Sequence, residues 1–292
     1  MESAVRLPPW FKVRLESGPR YLAMKGLVKG LRLHTVCEEA RCPNLWECWN
    51  GGTATFMILG EICTRSCGFC AVTTGKPSGL DLDEPRRVGE AVKILKLSHA
   101  VITSVNRDEL EDGGASVFAE TVREIRRQVP ECAVEVLIPD FQGSPEALSL
   151  VINAKPDVLN HNLETVPRLY SRVRPQAKYQ RSIELLRTSR IAGLATKTGI
   201  MVGLGETAEE INKVLQDLAS IRCDIVTIGQ YLRPTRDHLP VERYYSPEEF
   251  GRLKDLGERI GIPRVESAPL VRSSYHAAGQ AEVLDARAEG RP

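Results

Sequence analysis

From Thr55 to Ile260 the chain alternates apolar runs of strand length with segments of helical period, which limits the fold to a parallel sheet covered by helices. The strand candidates are Thr55–Leu59, Ala100–Thr103, Ala133–Ile138, Val158–Asn162, Ala195–Val202 and Ile225–Gln230. Helical stretches lie between them at Arg86–Lys96, Ala115–Gln128, Pro145–Asn153, Gln180–Ile191 and Thr207–Ile221, and a last one follows at Pro247–Ile260. Ser246 is the expected N-cap of that last helix, with Glu248 and Glu249 in its first turn. Six such units make three quarters of an eight-stranded barrel. The expected fold class is therefore α/β, an open partial (β/α)6 TIM-like barrel whose site lies at the C-terminal ends of the strands. With 292 residues and 42% hydrophobic content, the chain can bury one core of that size. The segments expected are an N-terminal extension (1–52), the barrel (53–262) and a C-terminal extension (263–292).

Just after the first strand stand Cys63, Cys67 and Cys70, a C-x₃-C-x₂-C triplet with Phe69 before its last thiol. A cubane iron–sulfur cluster has four irons and normally takes four thiolates. Three close thiolates leave one iron open, as catalytic metal sites generally keep one position free. An open iron is what S-adenosylmethionine (SAM) needs to chelate before it is cleaved reductively to a carbon radical. The competing assignment is a zinc knuckle or buried structural thiols, but no fourth Cys or His follows before His99.

A second triplet precedes it: Cys37, Cys42 and Cys48, spaced C-x₄-C-x₅-C. This spacing suits neither a zinc finger nor a c-type haem site, both of which need C-x-x-C. Soft thiolates select zinc or iron–sulfur. A fourth ligand would have to come from far away in sequence. Zinc or unliganded core thiols remain the alternatives on spacing alone.

The two triplets, with Thr103-Ser104-Val105-Asn106-Arg107-Asp108, Asp112-Gly113-Gly114, His161-Asn162-Leu163-Glu164-Thr165 and Arg272-Ser273-Ser274-Tyr275-His276-Ala277, resemble the lipoyl synthase family of radical SAM enzymes from about Trp10 to Ala277. Each piece is weak alone; the pair of triplets with the Arg-Ser-Ser-Tyr segment is specific. The resemblance implies two [4Fe–4S] clusters, one at Cys63, Cys67 and Cys70, the other an auxiliary cluster at Cys37, Cys42 and Cys48 with Ser274 as fourth ligand. It implies that the first generates a 5′-deoxyadenosyl radical and the second donates sulfur, at C6 and C8 of an octanoyl chain on a carrier-protein lysine. It further implies an octanoylated lipoyl domain or glycine-cleavage carrier as partner, and a flavodoxin or ferredoxin as electron donor. An open barrel is common among radical SAM enzymes and admits a large substrate from the side. Composition alone would leave Arg272–Tyr275 as a loop.

The segments after the strands supply polar groups for SAM, which carries an amine, a carboxylate, a sulfonium and a ribose. Thr103, Asn106 and Asp108 follow the second strand, together with Arg107, Glu111 and Asp112, which are too polar for a core-facing turn. Asn162 and Glu164 follow the fourth strand and suit ribose hydroxyls or a substrate amide; His161 beside them alone suits a core histidine as well. Gly203 lies in Gly199–Glu206 at the end of the fifth strand, where glycines allow close approach of a flat ligand. The resemblance implies adenine contact there; a plain tight turn fits equally. No Walker loop or G-x-G-x-x-G opens a helix.

A net charge of +1 argues against a general nucleic-acid binder. Residues 1–36 nevertheless hold seven Lys/Arg against Glu2 and Glu16, a net +5. They form either a solvated arm or a docking surface for an acidic macromolecule. Cys132 and Cys223 stand in apolar surroundings and are expected to be buried structural thiols. Clustered cysteines without a recognisable signal peptide or apolar span point to the cytoplasm. Pro8, Pro9, Gly18 and Pro19 are expected to break any amphipathic transit helix, and the tail Ala277–Pro292 to fray. The rival readings are another radical SAM sulfur transferase and, from a different class, a non-catalytic iron–sulfur electron carrier. Biotin synthase should lack the second triplet and the Arg-Ser-Ser-Tyr segment, and a carrier would gain from four protein ligands.

Overall fold

The computed structural model describes residues 7–12, 18–40, 42–50, 53–275, 277 and 279. His276 and most of the tail beyond it, for which fraying is expected, lie outside the described residues. Eight strands form one sheet in chain order: β1 (His34–Thr35), β2 (Thr55–Ile58), β3 (His99–Ser104), β4 (Ala133–Leu137), β5 (Val158–Asn160), β6 (Ala195–Val202), β7 (Ile225–Gln230) and β8 (Arg264–Ser267). All pairings from β2 to β8 are parallel, and only β1 runs antiparallel to its neighbour β2. No pairing joins β8 to β1 among the described residues, so the sheet is a barrel left open on one side.

Ten α-helices are described: α1 (Pro19–Gly30), α2 (Val36–Glu39), α3 (Leu45–Asn50), α4 (Glu84–Leu95), α5 (Ala115–Gln128), α6 (Pro145–Asn153), α7 (Tyr170–Val173), α8 (Tyr179–Ile191), α9 (Ala208–Ser220) and α10 (Pro247–Ile260). The six expected strands correspond to β2–β7, and the six expected helices to α4, α5, α6, α8, α9 and α10. The sheet gains β1 and β8, too short and too polar to stand out in a periodicity reading. Pro19 does not stop a helix but opens α1, since its fixed φ suits the first turn and its missing N–H is not needed there. Ser246 caps α10 as expected, in a capping box with Glu249.

Strands β2 and β7 are buried along their whole length, as a parallel sheet covered on both faces requires. The strands hold a buried polar network. Lys197 Nζ lies 3.0 Å from Glu135 Oε1, Asn160 Nδ2 donates to the same oxygen at 2.9 Å, and His99 Nε2 is 3.5 Å from Oε2. Burial works against the ionised Glu135 carboxylate, but Lys197, His99 and Asn160 together outweigh it and hold the group at about 2. Cys132 and Cys223 are fully buried, as expected.

Candidate radical and sulfur-donor site

The C-terminal ends of the strands open into a cavity of about 500 Å³. Its walls include Cys63, Cys67 and Cys70 from the loop after β2, Thr103 and Asn106 from β3 and its loop, and Asn162 and Glu164 beyond β5. Cys37 and Cys42 reach the same cavity from the N-terminal extension, and Ser273 and Ser274 from the C-terminal one. Cys48 does not line it but lies close enough to Cys37 and Cys42 for both to raise its titration, as Cys42 does that of Cys37.

Several contacts bring the extensions over the barrel. Thr35 caps α2, which carries Cys37. Tyr21 of α1 stacks on Trp46 at 4.3 Å and approaches Trp49 at 5.3 Å, fixing α3 and with it Cys48. Asn44 Nδ2 donates to Leu270 O at 2.7 Å, and Tyr275 OH donates to Glu47 Oε1 at 3.0 Å. The second triplet and the Arg272–Tyr275 segment are thereby bound to each other across more than 200 residues of chain. Gly229 on β7 is needed for this approach: a Cβ there would stand 2.1 Å from Val271 O.

The donor chemistry fits soft iron–sulfur ligation. Cys63 Sγ accepts backbone N–H groups from Arg65 at 3.4 Å and Asn106 at 3.3 Å, contacts that orient the sulfur. Burial pushes the Cys37 and Cys70 thiols up to about 11 and the Cys48 and Cys67 thiols up to about 12. At neutral pH such thiols stay protonated until a metal displaces the proton, so ligation should release protons. A polar ligand is also accommodated. Ser104 Oγ, Asn106 Oδ1, Asn162 Oδ1 and Arg174 Nε belong to residues lining the cavity and are buried without a hydrogen-bond partner among the described residues.

Glu164 takes a left-handed φ of 66°, a strained conformation for a residue other than glycine, and accepts from Asn162 Nδ2 at 3.0 Å. Burial raises its pKa, while Arg174 and Arg272 pull it back toward the carboxylate. Arg272 is itself pushed down by burial, opposed by Cys42 and Glu164. These two arginines place positive charge between the two triplets. Sequence reading singled out neither as a site residue. Only their place in the cavity wall beside Glu164 identifies them, and that is a tertiary property.

Two expected cofactor residues take other places. Asp108 does not line the cavity; it pairs with Arg65, accepting at 2.6 and 2.8 Å, while Arg65 also donates to Asp140 at 2.6 Å. Burial would raise Asp140, but the hydrogen bond and charge of Arg65, with Arg181 adding to them, hold it at about 2. Asp108 thus anchors the loop that carries the triplet. Gly203 is also off the cavity: its N–H donates to Glu206 Oε1, and an added Cβ would collide with the Gln230 side chain at 2.0 Å. Gly199, by contrast, lines the wall. His161 is buried and neutral, burial lowering it to about 4; its ring nitrogens pair with Ile138 O and Ser182 Oγ, each at 2.8 Å. It is the satisfied core histidine.

The family model of the radical SAM superfamily matches residues 57–218, and that of the N-terminal domain of lipoyl synthase matches residues 1–42. A lipoyl synthase from Rubrobacter xylanophilus is 64% identical over 282 residues, covering 96% of this chain and 87% of its own. One from Symbiobacterium thermophilum is 57% identical over 287 residues, covering 98% and 90%. Among solved structures, Streptococcus suis SuiB bound to S-adenosylmethionine matches 85% of this chain and 61% of its own at 13% identity and a TM-score of 0.59. Methylornithine synthase matches 90% and 82% at 14% identity and 0.53. These two likenesses concern the fold alone. The chain belongs to the lipoyl synthase family of the radical SAM superfamily.

Proposed function

We propose that this chain inserts two sulfur atoms, at C6 and C8, into an octanoyl group carried on a protein lysine, forming the lipoyl cofactor. The observation that carries the proposal is the convergence of both triplets and Ser274 around one cavity. Radical SAM membership implies one [4Fe–4S] cluster and SAM; the second cluster is our reading of Cys37, Cys42, Cys48 and Ser274. When bound, these groups supply a carbon-centred radical strong enough for an unactivated C–H bond, and the sulfur that replaces the hydrogen.

This chain's residues hold and shield the chemistry. Cys63, Cys67 and Cys70 would hold the SAM-binding cluster, with the Arg65 and Asn106 N–H groups directed at Cys63. Thr103, Asn106, Asn162 and Glu164 face the cavity and are the proposed polar contacts for SAM, joined by Arg174. Met57, Ile138, Ile200 and Met201 give the same cavity an apolar wall, suited to an octanoyl chain and to excluding water. We assign residues 1–52 and 263–292 to the auxiliary cluster and 53–262 to the barrel. We further propose an octanoylated lipoyl domain or glycine-cleavage carrier as substrate protein, and a flavodoxin-like or ferredoxin-like electron donor. A cytoplasmic location follows from free, clustered cysteines; no helix among the described residues is long and apolar enough to cross a membrane.

The test is anaerobic turnover of an octanoyl-lysine peptide followed by mass spectrometry. Two added sulfurs are expected. An unmodified peptide beside released 5′-deoxyadenosine would overturn sulfur insertion, and no 5′-deoxyadenosine at all would overturn the radical reading. Iron content separates the clusters: about eight irons per chain, falling to about four when Cys63, Cys67 and Cys70 are all changed to Ala.

A further inference from the structure

The connection from β7 to α10 runs from residue 231 to 246 without a helix or strand of its own. Loops beyond about 12–15 residues without secondary structure are uncommon in compact domains and usually functional. This one is held at several points. Tyr231 N donates to Val202 O at 2.8 Å, Glu242 N to Gly203 O at 2.9 Å, and Tyr245 OH to Glu206 Oε1 at 2.9 Å. The segment between those anchors crosses the loop that carries Cys67 and Cys70.

There it makes three contacts. His238 Nε2 lies 2.9 Å from Cys70 O, and since a carbonyl only accepts, Nε2 carries the hydrogen. Nδ1 lies 2.9 Å from the Thr235 hydroxyl, whose oxygen accepts from Asp237 N at 3.2 Å, so both ring nitrogens are engaged and the ring plane is fixed. Next to it, Leu239 N donates to Gly68 O at 3.0 Å, and Tyr231 OH donates to Leu239 O at 2.7 Å. The Leu239 side chain packs onto Gly68 so closely that a Cβ on Gly68 would stand 2.9 Å from it. On its other side the cluster loop is held by Gly68 N donating to Val173 O at 2.9 Å, and by Gln176 Nε2 donating to Ser66 Oγ at 2.9 Å.

We infer that residues 231–245 form a strap that fixes the Cys67–Cys70 loop, with His238 as a positioning residue and the Leu239–Gly68 contact as its catch. None of these contacts involves iron, so the loop is held in place by the protein itself. The strap also contributes Tyr231, Leu232, Arg233 and Pro234 to the cavity wall. It therefore covers the cluster loop and borders the substrate space at once. The inference rests on reading Cys63, Cys67 and Cys70 as cluster ligands, and its test is arranged to stand apart from that reading.

In the full-length, iron-free chain, alkylation by iodoacetamide is followed at each cysteine by mass spectrometry. His238→Ala should speed modification of Cys67 and Cys70 about tenfold, the scale of one lost buried hydrogen bond. Cys132 and Cys223, buried elsewhere, should keep their rates. Gly68→Ala, which displaces Leu239, should act in the same direction, whereas His238→Gln, which keeps a donor near Nε2, should restore slow modification. Unchanged rates at Cys67 and Cys70 in both His238→Ala and Gly68→Ala would overturn the strap. So would an equal rise at Cys132 and Cys223, which reports general loosening. In the iron-loaded chain, His238→Ala should speed iron loss to a chelator in a background where Cys37, Cys42 and Cys48 are Ala. Failure of that parent background to hold iron would overturn the ligand reading and leave the alkylation result standing.

Discussion

Ser274 and Ser273 both line the cavity, so position alone does not choose between them. The choice comes from family resemblance. Ser274→Ala is expected to keep SAM cleavage, because its loss touches neither the first triplet nor its supporting N–H groups, and to leave little or no lipoyl product. Ser273→Ala is the control. Product formation at the parent rate in Ser274→Ala would remove it from the ligand set. His161 makes a different prediction. Burial, with Arg174 adding to it, holds its folded pKa at about 4, below the unfolded value of about 6.5. The unfolded chain therefore binds the extra proton first, and this contribution to stability is full above about 6.5 and lost as pH falls toward about 4. The loss is roughly 3 kcal/mol over that window. His161→Gln should flatten that part of a denaturation profile; an unchanged slope would mean other groups carry it. That Cys63, Cys67 and Cys70 meet at one place was legible at this scale because they lie within one short loop, and the structure puts all three on the cavity wall. Asp108 and Gly203 misled for a physical reason: a polar or flexible residue after a strand can serve the loop as well as the ligand.

Among the elements, β2–β7 and their helices were legible because buried parallel strands read as continuous apolar runs. α1–α3 were not, since each packs on a neighbour rather than by its own periodicity. α1 carries Gly26 and Gly30, and its Tyr21 finds stability only against Trp46 and Trp49. The contact between β7 and the C-terminal extension is the most exacting of these. Gly229→Ala must push Val271 aside, and such overpacking typically costs about 1–3 kcal/mol. Because Val271 immediately precedes Arg272-Ser273-Ser274, the variant should also lower iron at the second triplet, from about eight irons per chain toward about four. Mössbauer or iron analysis checks this; full iron with a lowered Tm would show that the contact matters to the fold only.

For the whole molecule, charge is unevenly spread. Lys12 and Lys25 are exposed on the N-terminal side, while Arg14 lies outside the described residues. If this arm docks an acidic carrier domain, charge reversal at Lys12, Arg14 and Lys25 should raise KM for the carrier and spare a short octanoyl-lysine peptide. The difference should shrink with salt as the Debye length falls from about 10 Å at 0.1 M to about 3 Å at 1 M. Equal losses on both substrates would assign the arm to folding.

Local pattern was enough to specify the barrel class, the two thiol triplets and the class of chemistry, because strand periodicity and ligand spacing are short-range properties of a chain. Tertiary structure alone decided which groups share the cavity. Asn44 meets Leu270, Gly229 admits Val271, and Arg174 and Arg272 enter a buried region between the triplets. Those contacts join residues separated by tens to hundreds of positions. They form only when the sheet has brought its strand ends and both extensions together, and no short-range pattern records that geometry.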